Sequence, residues 1–236
     1  MYFSDNSLTA PLNWIYAPDF DSGQMPYLLY AAEARHEQSL ENFKPGYEIH
    51  QAYRATEFNG STSQAIVLYF TPPGCLKVVD PATDKKIPQK PKFVSDMMPI
   101  SRPELIQTVT EQPASLPGSI FVDSLDVGWC YYFEHAELAR QAGDWEQVAM
   151  LGNQAFELEH RLYEVNAPEL LTYIEGYTRT GRWQEAVEIT NDALQLSERM
   201  DRILCDTWHR ILQDPATDAD KLPSLPKLQE LLPCLR

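Results

Sequence analysis

The feature that most constrains the fold is an internal repeat in the second half of the chain. Gly143-Asp144-Trp145 returns as Gly181-Arg182-Trp183, at an offset of 38 residues, and the neighbouring positions keep this register. The matched positions carry aromatic or small side chains: Trp145 with Trp183, Val148 with Ala186, Ala155 with Ala193 and, upstream, Ala139 with Tyr177. Side chains at this spacing lie on one face of a helix. Each unit therefore predicts a helix whose tryptophan and small residues face a partner helix.

The glycine of each unit predicts the turn between two helices. A left-handed glycine satisfies the last carbonyls of one helix, and the tryptophan then begins the return helix. This pattern resembles the tetratricopeptide repeat, whose second helix has an aromatic residue after a glycine and then small residues. The resemblance covers about Tyr132 to Leu196. It departs from the family in its longer offset, in His160 and Glu198 standing where proline is expected, and in showing two units only.

Proline divides the chain into two kinds of structure. It is frequent in the first 120 or so residues, whereas Pro168 is the single proline between Trp129 and Leu212. We therefore predict an α+β fold with a mixed α/β part at 1–120, including a small antiparallel sheet, and an all-α tetratricopeptide-like array at 121–236. An array of two hairpins exposes apolar surface at both ends, so we expect residues 200–212 to form a capping helix, the α/β part to cover the other end, and residues 223–235 to add one last short helix.

Local patterns predict the elements of the first part. Residues 25–38 favour a helix after Pro26. Runs at 47–58 and 64–70 favour strands, and Asn59-Gly60 between them is typical of the tight turn of an antiparallel hairpin. A third strand is predicted at 76–81, which would give a sheet of three or more strands.

Two further features complete the first part. Residues 81–99 are polar and rich in lysine and proline, so they are interpreted as an exposed connection. Ser101 and Glu104 form a capping-box pair that predicts one more short helix.

Charge and hydropathy exclude some classes of partner. The formal net charge is −15, from 34 acidic and 19 basic residues, which disfavours nucleic acid and anionic membrane surfaces. The longest apolar runs are far shorter than the roughly 20 residues that span a bilayer. We therefore expect that this stretch of chain does not span a membrane. Residues 1–6 also lack the basic and apolar regions of a signal peptide.

No motif indicates an enzyme, and we expect no cofactor or metal. The five histidines stand singly, without an HExxH pair or a nucleophile signature. Glu134-His135-Ala136-Glu137 is interpreted as a solvated helix face. The four cysteines lack a CxxC pair, which leaves buried free thiols as one interpretation and disulfides as the other.

Two aromatic clusters are the candidates for a functional surface. They lie in the segments 69–75 and 129–134, and dense rigid rings suit either a binding platform or core packing. The candidate residues for a binding or interdomain surface are Tyr69, Pro72, Pro73, Asp80, Trp129, Tyr131, Tyr132 and Glu134.

At these clusters the chain also resembles a larger family. The segments that carry this resemblance are Gly60–Gln64, Pro72–Pro81, Trp129–Glu134 and Gly143–Trp145. They are similar to the soluble C-terminal region of bacterial polytopic membrane proteins related to glycosyltransferases that use lipid-linked sugars. The resemblance implies that the spanning helices and catalytic acidic residues of a longer protein lie upstream. It also implies an extracytoplasmic location, where Cys75 and Cys130 could form a disulfide.

Two hypotheses of function follow, with a third held open. The first is a non-catalytic extramembrane domain that contacts a protein, a glycan acceptor or its own transmembrane region. The second is a free-standing cytoplasmic scaffold that binds a peptide or partner helix in the groove of its repeats. An unrecognised hydrolase is the third, and a screen of glycosidase and esterase substrates would address it.

Overall fold

The computed structural model describes residues 5–19, 23–31, 43–53, 55–88, 90–107, 127–158, 160–215 and 224–236. The chain divides into two compact units. The first contains Met1–Val67, Val79–Pro81 and Pro91–Leu125, and the second contains Leu68–Val78, Ala82–Lys90 and Asp126–Arg236. The boundary predicted between residues 120 and 121 places 68–78 and 82–90 with the N-terminal part, whereas in the structure these segments pack with the C-terminal helices.

The first unit begins with helix α1, Asp5–Tyr16. Two side chains one turn apart on this helix, Thr9 and Asn13, hold the segment that follows. The Tyr27 amide donates to Asn13 Oδ1 at 3.0 Å, and the Leu29 amide donates to Thr9 Oγ1 at 3.1 Å. Residues 25–31 are consequently not helical, so the helix predicted from residue 25 is wrong there. Its remainder, at 32–38, lies outside the described residues.

Strands β1 (Glu48–Tyr53) and β2 (Thr56–Ser61) form an antiparallel hairpin, as the sequence predicted, but with a different turn. Tyr53 pairs with Thr56, so Asn59 and Gly60 lie within β2 opposite His50 and Ile49. A Cβ atom on Gly60 would lie 2.4 Å from the Phe58 ring. Residues two apart on a strand share a face, so the glycine leaves room for that ring. The predicted Asn59-Gly60 turn is therefore wrong.

The rest of the first unit forms a small core around Ser101. Helix α2, Lys92–Met97, continues into a 3₁₀ helix at Met98–Ile100, and a second 3₁₀ helix follows at Pro103–Leu105. The Ser101 hydroxyl donates to the Val79 carbonyl at 2.6 Å and accepts from the Val67 amide at 3.2 Å. It thus joins Val67 to Val79 and does not cap a helix, which corrects the predicted capping box. The predicted exposed connection at 81–99 is also wrong, because it contains α2 and buried Val94.

The second unit starts with a short hairpin of β3 (Leu68–Tyr69) and β4 (Lys77–Val78). These strands lie inside the predicted runs at 64–70 and 76–81. Pro72 and Pro73, joined by a cis peptide bond, lie in the connection between them. The predicted sheet of three or more strands does not form in the described part of the chain, where β1–β2 and β3–β4 are separate two-stranded sheets.

Six helices follow in the described residues of this unit. They are α3 (Trp129–Ala142), α4 (Trp145–Phe156), α5 (Leu170–Arg179), α6 (Trp183–Leu196), α7 (Asp201–Gln213) and α8 (Leu225–Leu231). Successive helices α3 to α6 pack in sequence order, each against the next. Helices were predicted at 200–212 and 223–235, and α7 and α8 lie there. The structure is therefore mixed, with small antiparallel sheets followed by a helical region.

The turns after α3 and α5 have the same construction. Gly143 and Gly181 both have left-handed backbones, with φ of 72° and 77°. The amide of the residue after each glycine bonds back to a carbonyl five residues earlier, Asp144 to Ala139 at 2.9 Å and Arg182 to Tyr177 at 2.8 Å. These are the hydrogen bonds of a Schellman motif. Positions 38 residues apart in the sequence therefore perform the same structural task.

Glycine also sets the spacing between α4 and α5. A Cβ atom on Gly176 would lie 2.3 Å from Val148 Cγ1, and one on Gly152 would lie 2.9 Å from atoms of Tyr173 and Tyr177. The helices approach closely because neither position carries a side chain. Most predicted core positions of the repeat are buried, namely Val148, Ala155, Tyr177, Ala186 and Ala193, while Trp145 and Trp183 are half-buried against the same core.

The C-terminal helices close the end of this core. Trp208 of α7 is fully buried, and its Nε1 donates to Thr190 Oγ1 of α6 at 2.9 Å. A disulfide between Cys205 and Cys234, whose Cα atoms are 6.2 Å apart, fastens the last 3₁₀ turn (Pro233–Leu235) to α7. Leu228 and Leu232 are buried in the same cluster.

Candidate functional site

The carboxylate of Glu169, immediately before α5, is buried and accepts hydrogen bonds from three different residues. Its Oε1 accepts from the Cys75 amide at 2.8 Å, and its Oε2 accepts from Trp129 Nε1 at 2.5 Å and from Asn166 Nδ2 at 2.9 Å. Burial raises the pKa of Glu169, and these three donors offset only part of that effect. The side chain joins the β3–β4 connection, α3 and the turn before α5.

A disulfide between Cys75 and Cys130 lies beside this carboxylate. The two Cα atoms are 5.1 Å apart, and the bond links the β3–β4 connection to the first turn of α3. All four cysteines of the chain are paired, so the interpretation as buried free thiols is wrong. The pair at Cys75 and Cys130 is the one that the family resemblance implied. Gly74 allows this approach, because a Cβ atom there would lie 3.2 Å from Glu169 Oε1.

A second buried cluster surrounds Lys77 of β4. Its Nζ lies 3.1 Å from Glu137 Oε2 and 3.6 Å from Asp84 Oδ1, and all three side chains are at most 8% exposed. Arg140 Nε donates to Glu137 Oε1 at 3.1 Å, and the Thr172 hydroxyl donates to the same oxygen. The cluster therefore joins β4, the 82–86 segment, α3 and α5 through charge-assisted hydrogen bonds.

Lys77 and Glu137 stabilise each other in their ionised forms. Burial alone lowers the pKa of Lys77, but the Glu137 and Asp84 carboxylates outweigh it and hold that pKa above its usual value. Burial alone raises the pKa of Glu137, and Lys77, Arg140 and Thr172 together lower it to about 2. General acid–base catalysis near neutral pH requires a pKa near neutrality. Lys77 and Glu137 are therefore suited to holding structure and poorly suited to proton transfer.

A polar cleft of about 230 Å³ opens beside the Lys77 cluster. We define it by its floor, Lys77, Asp84, Glu137 and Glu175, and by its rim, Lys86, Asp206 and Arg210. Arg210 of α7 holds Glu175 of α5 with two hydrogen bonds, at 2.5 and 3.2 Å. Lys86 pairs with Asp206 across the mouth. Every charge named here thus has an opposite charge beside it.

The structure separates the candidate surface residues into several environments. Trp129 is buried, with its ring edge-on to Tyr173 and Phe156. Tyr69 is half-buried and borders a small pocket next to Glu169, where burial raises its pKa to about 12. The other candidate residues of the second unit are not buried. Tyr131 and Tyr132 are half-buried, and Pro72, Pro73 and Glu134 are exposed. Asp80 is half-buried and belongs to the first unit.

Sequence reasoning missed the charged residues that define the cleft. Glu137 was assigned to a solvated helix face together with Ala136, and both are buried, which corrects that interpretation. Glu134 and His135 of the same segment are exposed, as expected. The available signal was position: Glu137 follows Phe133 by one helical turn, so it stands on the apolar face of α3. A charge on such a face is rarely buried without a partner.

Comparison with known proteins does not identify a family: no family model, curated protein or solved structure matches the chain significantly. Among the residues that the structure describes, none of the helices is long and apolar enough to cross a bilayer. The same residues contain no group of three or more histidine, cysteine, aspartate or glutamate side chains placed to hold a metal ion.

Proposed function

We propose that this chain is a non-catalytic binding module with a tetratricopeptide-like helical array, and that it is the extracytoplasmic part of a longer bacterial membrane protein related to glycosyltransferases. Its partner is a protein, a glycan acceptor or the transmembrane region of the same protein. The observation that carries the proposal is the pairing of all four cysteines in two disulfides within one helical unit.

The helical turns support the tetratricopeptide-like part of the proposal. Gly143 and Gly181 end helices through the same hydrogen-bond pattern, and the tryptophan two residues later begins the return helix in each case. The small residues Ala155 and Ala193 are buried at matched positions. Two stacked hairpins with an added C-terminal helix suit a binding surface, because solenoid arrays use their extended faces for contact.

The disulfides support the extracytoplasmic part. Structural disulfides persist in oxidising compartments such as the bacterial periplasm, and they are rare in the cytoplasm. Cys75 and Cys130 also lie in the segments that carry the family resemblance. A cytoplasmic scaffold, the alternative function, would instead keep its four thiols reduced.

The ionisation states support a binding role over proton-transfer chemistry. The strongest buried charges, Lys77 and Glu137, hold each other in the ionised form and connect segments of the unit. Groups used in this way contribute to a fixed shape, which a binding surface needs.

The test is to map the cysteines of the chain isolated from its native cell without reduction. Free thiols are alkylated first, and peptides are then analysed by mass spectrometry before and after reduction. We expect peptides linked through Cys75–Cys130 and Cys205–Cys234. Four alkylated thiols in material from the native cell would contradict the extracytoplasmic proposal and favour the cytoplasmic scaffold.

A second observation tests the membrane relationship. The reading frame upstream of Met1 should code for several apolar segments of spanning length. A stop codon directly upstream, with no such segments, would remove that part of the proposal.

A further inference from the structure

The polar cleft has the form of a site for a small polar molecule. Its floor residues Lys77, Glu137 and Glu175 have side chains that are 7–8% exposed, whereas its rim residues Lys86 and Arg210 are 53% and 45% exposed. Solvent therefore reaches the mouth, while fixed charged groups lie beneath it. The volume of about 230 Å³ is below the roughly 300–1,000 Å³ of pockets for drug-sized ligands. A molecule about the size of one sugar ring fits this space.

The charges around the cleft favour a ligand without net charge. Opposite charges are joined in the ion pairs Lys77–Glu137, Arg210–Glu175 and Lys86–Asp206, and Asp84 also lies beside Lys77. Of all the charged residues that line the cleft, five are basic and four are acidic, so the charges nearly balance. A charged ligand that bound to one partner would leave the other partner's charge uncompensated in a partly buried site, which is strongly unfavourable. A neutral ligand can bind without separating any pair.

The hydrogen-bonding groups favour a ligand with several hydroxyls. An ammonium has three donors and a guanidinium five, so Lys86 and Arg210 on the rim, each of which pairs with one carboxylate, retain donors for a further partner. Thr83 and Thr207 also line the cleft, and Leu171 and Ile203 add apolar surface. A hydroxyl both donates and accepts, so it can bridge the two members of an ion pair. Apolar side chains suit the C–H groups of the same molecule.

From these observations we infer that the polar cleft binds one neutral, polyhydroxylated ring, such as a monosaccharide unit of a glycan. The inference rests on the proposed function, because it names the class of ligand for the binding module. It depends on the cleft of the second unit and is independent of the disulfides that carry the proposed function.

The experiment is a titration of the full chain, labelled with ¹⁵N, followed through its amide NMR resonances. The probes are methyl glycosides of glucose, galactose, mannose and N-acetylglucosamine, with glucuronic acid and glucosamine as charged counterparts. We expect at least one neutral glycoside to bind saturably and to shift resonances of residues 82–86, α5 and α7. The charged counterparts should bind at least about tenfold more weakly, because a charged sugar that binds one member of an ion pair leaves the other member without its partner.

Two variants locate the binding. Arg210→Gln should weaken it by about tenfold or more, because a guanidinium on the rim is lost. Arg182→Gln is the matched control: Arg182 belongs to the same unit but pairs with Glu185 and Asn153 outside the cleft, so it should leave binding unchanged. Lys86→Met, on an exposed rim residue, serves as a second rim variant if Arg210→Gln does not fold.

Three outcomes would overturn the inference: no neutral glycoside binds, a charged sugar binds as tightly, or the shifted resonances lie away from the cleft. Any of these with both disulfides intact would remove the sugar site and leave the proposed function in place. Reduced cysteines in native material would contradict the extracytoplasmic part of the proposed function and leave the sugar site to be judged by the titration alone.

Discussion

Replacing Gly176 by alanine tests the close approach between helices α4 and α5. The added methyl carbon would lie 2.3 Å from Val148 Cγ1 and 2.9 Å from Val148 Cβ. Carbon atoms in contact prefer a separation of about 3.5–4.0 Å, so α4 and α5 must move apart or Val148 must change its rotamer. Overpacking of this kind usually destabilises a protein by about 1–3 kcal/mol.

We place the cost of the overlap in Gly176→Ala at the upper end of that range, about 3 kcal/mol. The methyl group overlaps both Cγ1 and Cβ of Val148, and a β-branched side chain has few alternative rotamers. Alanine regains about 1 kcal/mol relative to glycine through its higher helix propensity. The net loss in the free energy of unfolding is then about 2 kcal/mol, or a decrease in Tm of about 4–8 °C for a chain of this size.

Urea and thermal unfolding followed by circular dichroism measure this loss. Gly23→Ala is the matched control, since a Cβ atom there meets nothing within 4 Å, and it should change stability little. Combining Gly176→Ala with Val148→Ala removes the nearest atom. The double variant should therefore be more stable than the sum of the two single changes by about 1 kcal/mol or more. A Gly176→Ala variant as stable as the parent, or strict additivity with Val148→Ala, would refute this packing.

Three further predictions concern the charges and the C-terminal disulfide. Lys77→Met should lower the free energy of unfolding by about 3–5 kcal/mol in urea titrations, because it leaves Glu137 buried without its main partner. Lys92→Met, at an exposed lysine, is the control and should have little effect. Equal losses of stability in the two variants would contradict the argument. The pKa of Glu137 is lowered from 4.5 to about 2, so its stabilisation is complete above pH 4.5 and disappears as pH falls towards 2. The difference in stability between the parent and Glu137→Gln should therefore narrow below pH 4.5, and a constant difference down to pH 3 would contradict this assignment. Cys205→Ser removes the disulfide to Cys234, so it should lower the free energy of unfolding by about 2–4 kcal/mol and increase hydrogen exchange in α8. Unchanged exchange in α8 would show that the disulfide does not hold the C-terminus.

The helical region was accessible from the sequence because its signals are local. A glycine that ends a helix, a tryptophan that begins the next and small residues one or two turns later all act within a few residues of one another. The helices from α3 to α7 accordingly lie where the repeat and its flanking pattern place them.

The first part was less accessible because competing local signals were resolved by distant partners. Asn59-Gly60 has the composition of a tight turn, yet the two residues pair with His50 and Ile49 of β1 and lie in a strand. The segment from Met25 has good helix formers, yet Thr9 and Asn13 of α1 take its backbone amides. In both places a tertiary contact outweighs a preference worth only about 1 kcal/mol.

The sequence by itself therefore determined the helical region, its glycine turns and the mixed character of the structure. Only the tertiary structure decided the hairpin register, the packing of residues 68–78 and 82–90 against the helices, and the charged floor of the cleft. The physical reason is distance along the chain: Glu137 is stable in the core because Lys77, 60 residues earlier, neutralises it. Neither residue's neighbours in sequence reveal the other, since a buried charge is favourable only once the fold has brought its partner into place.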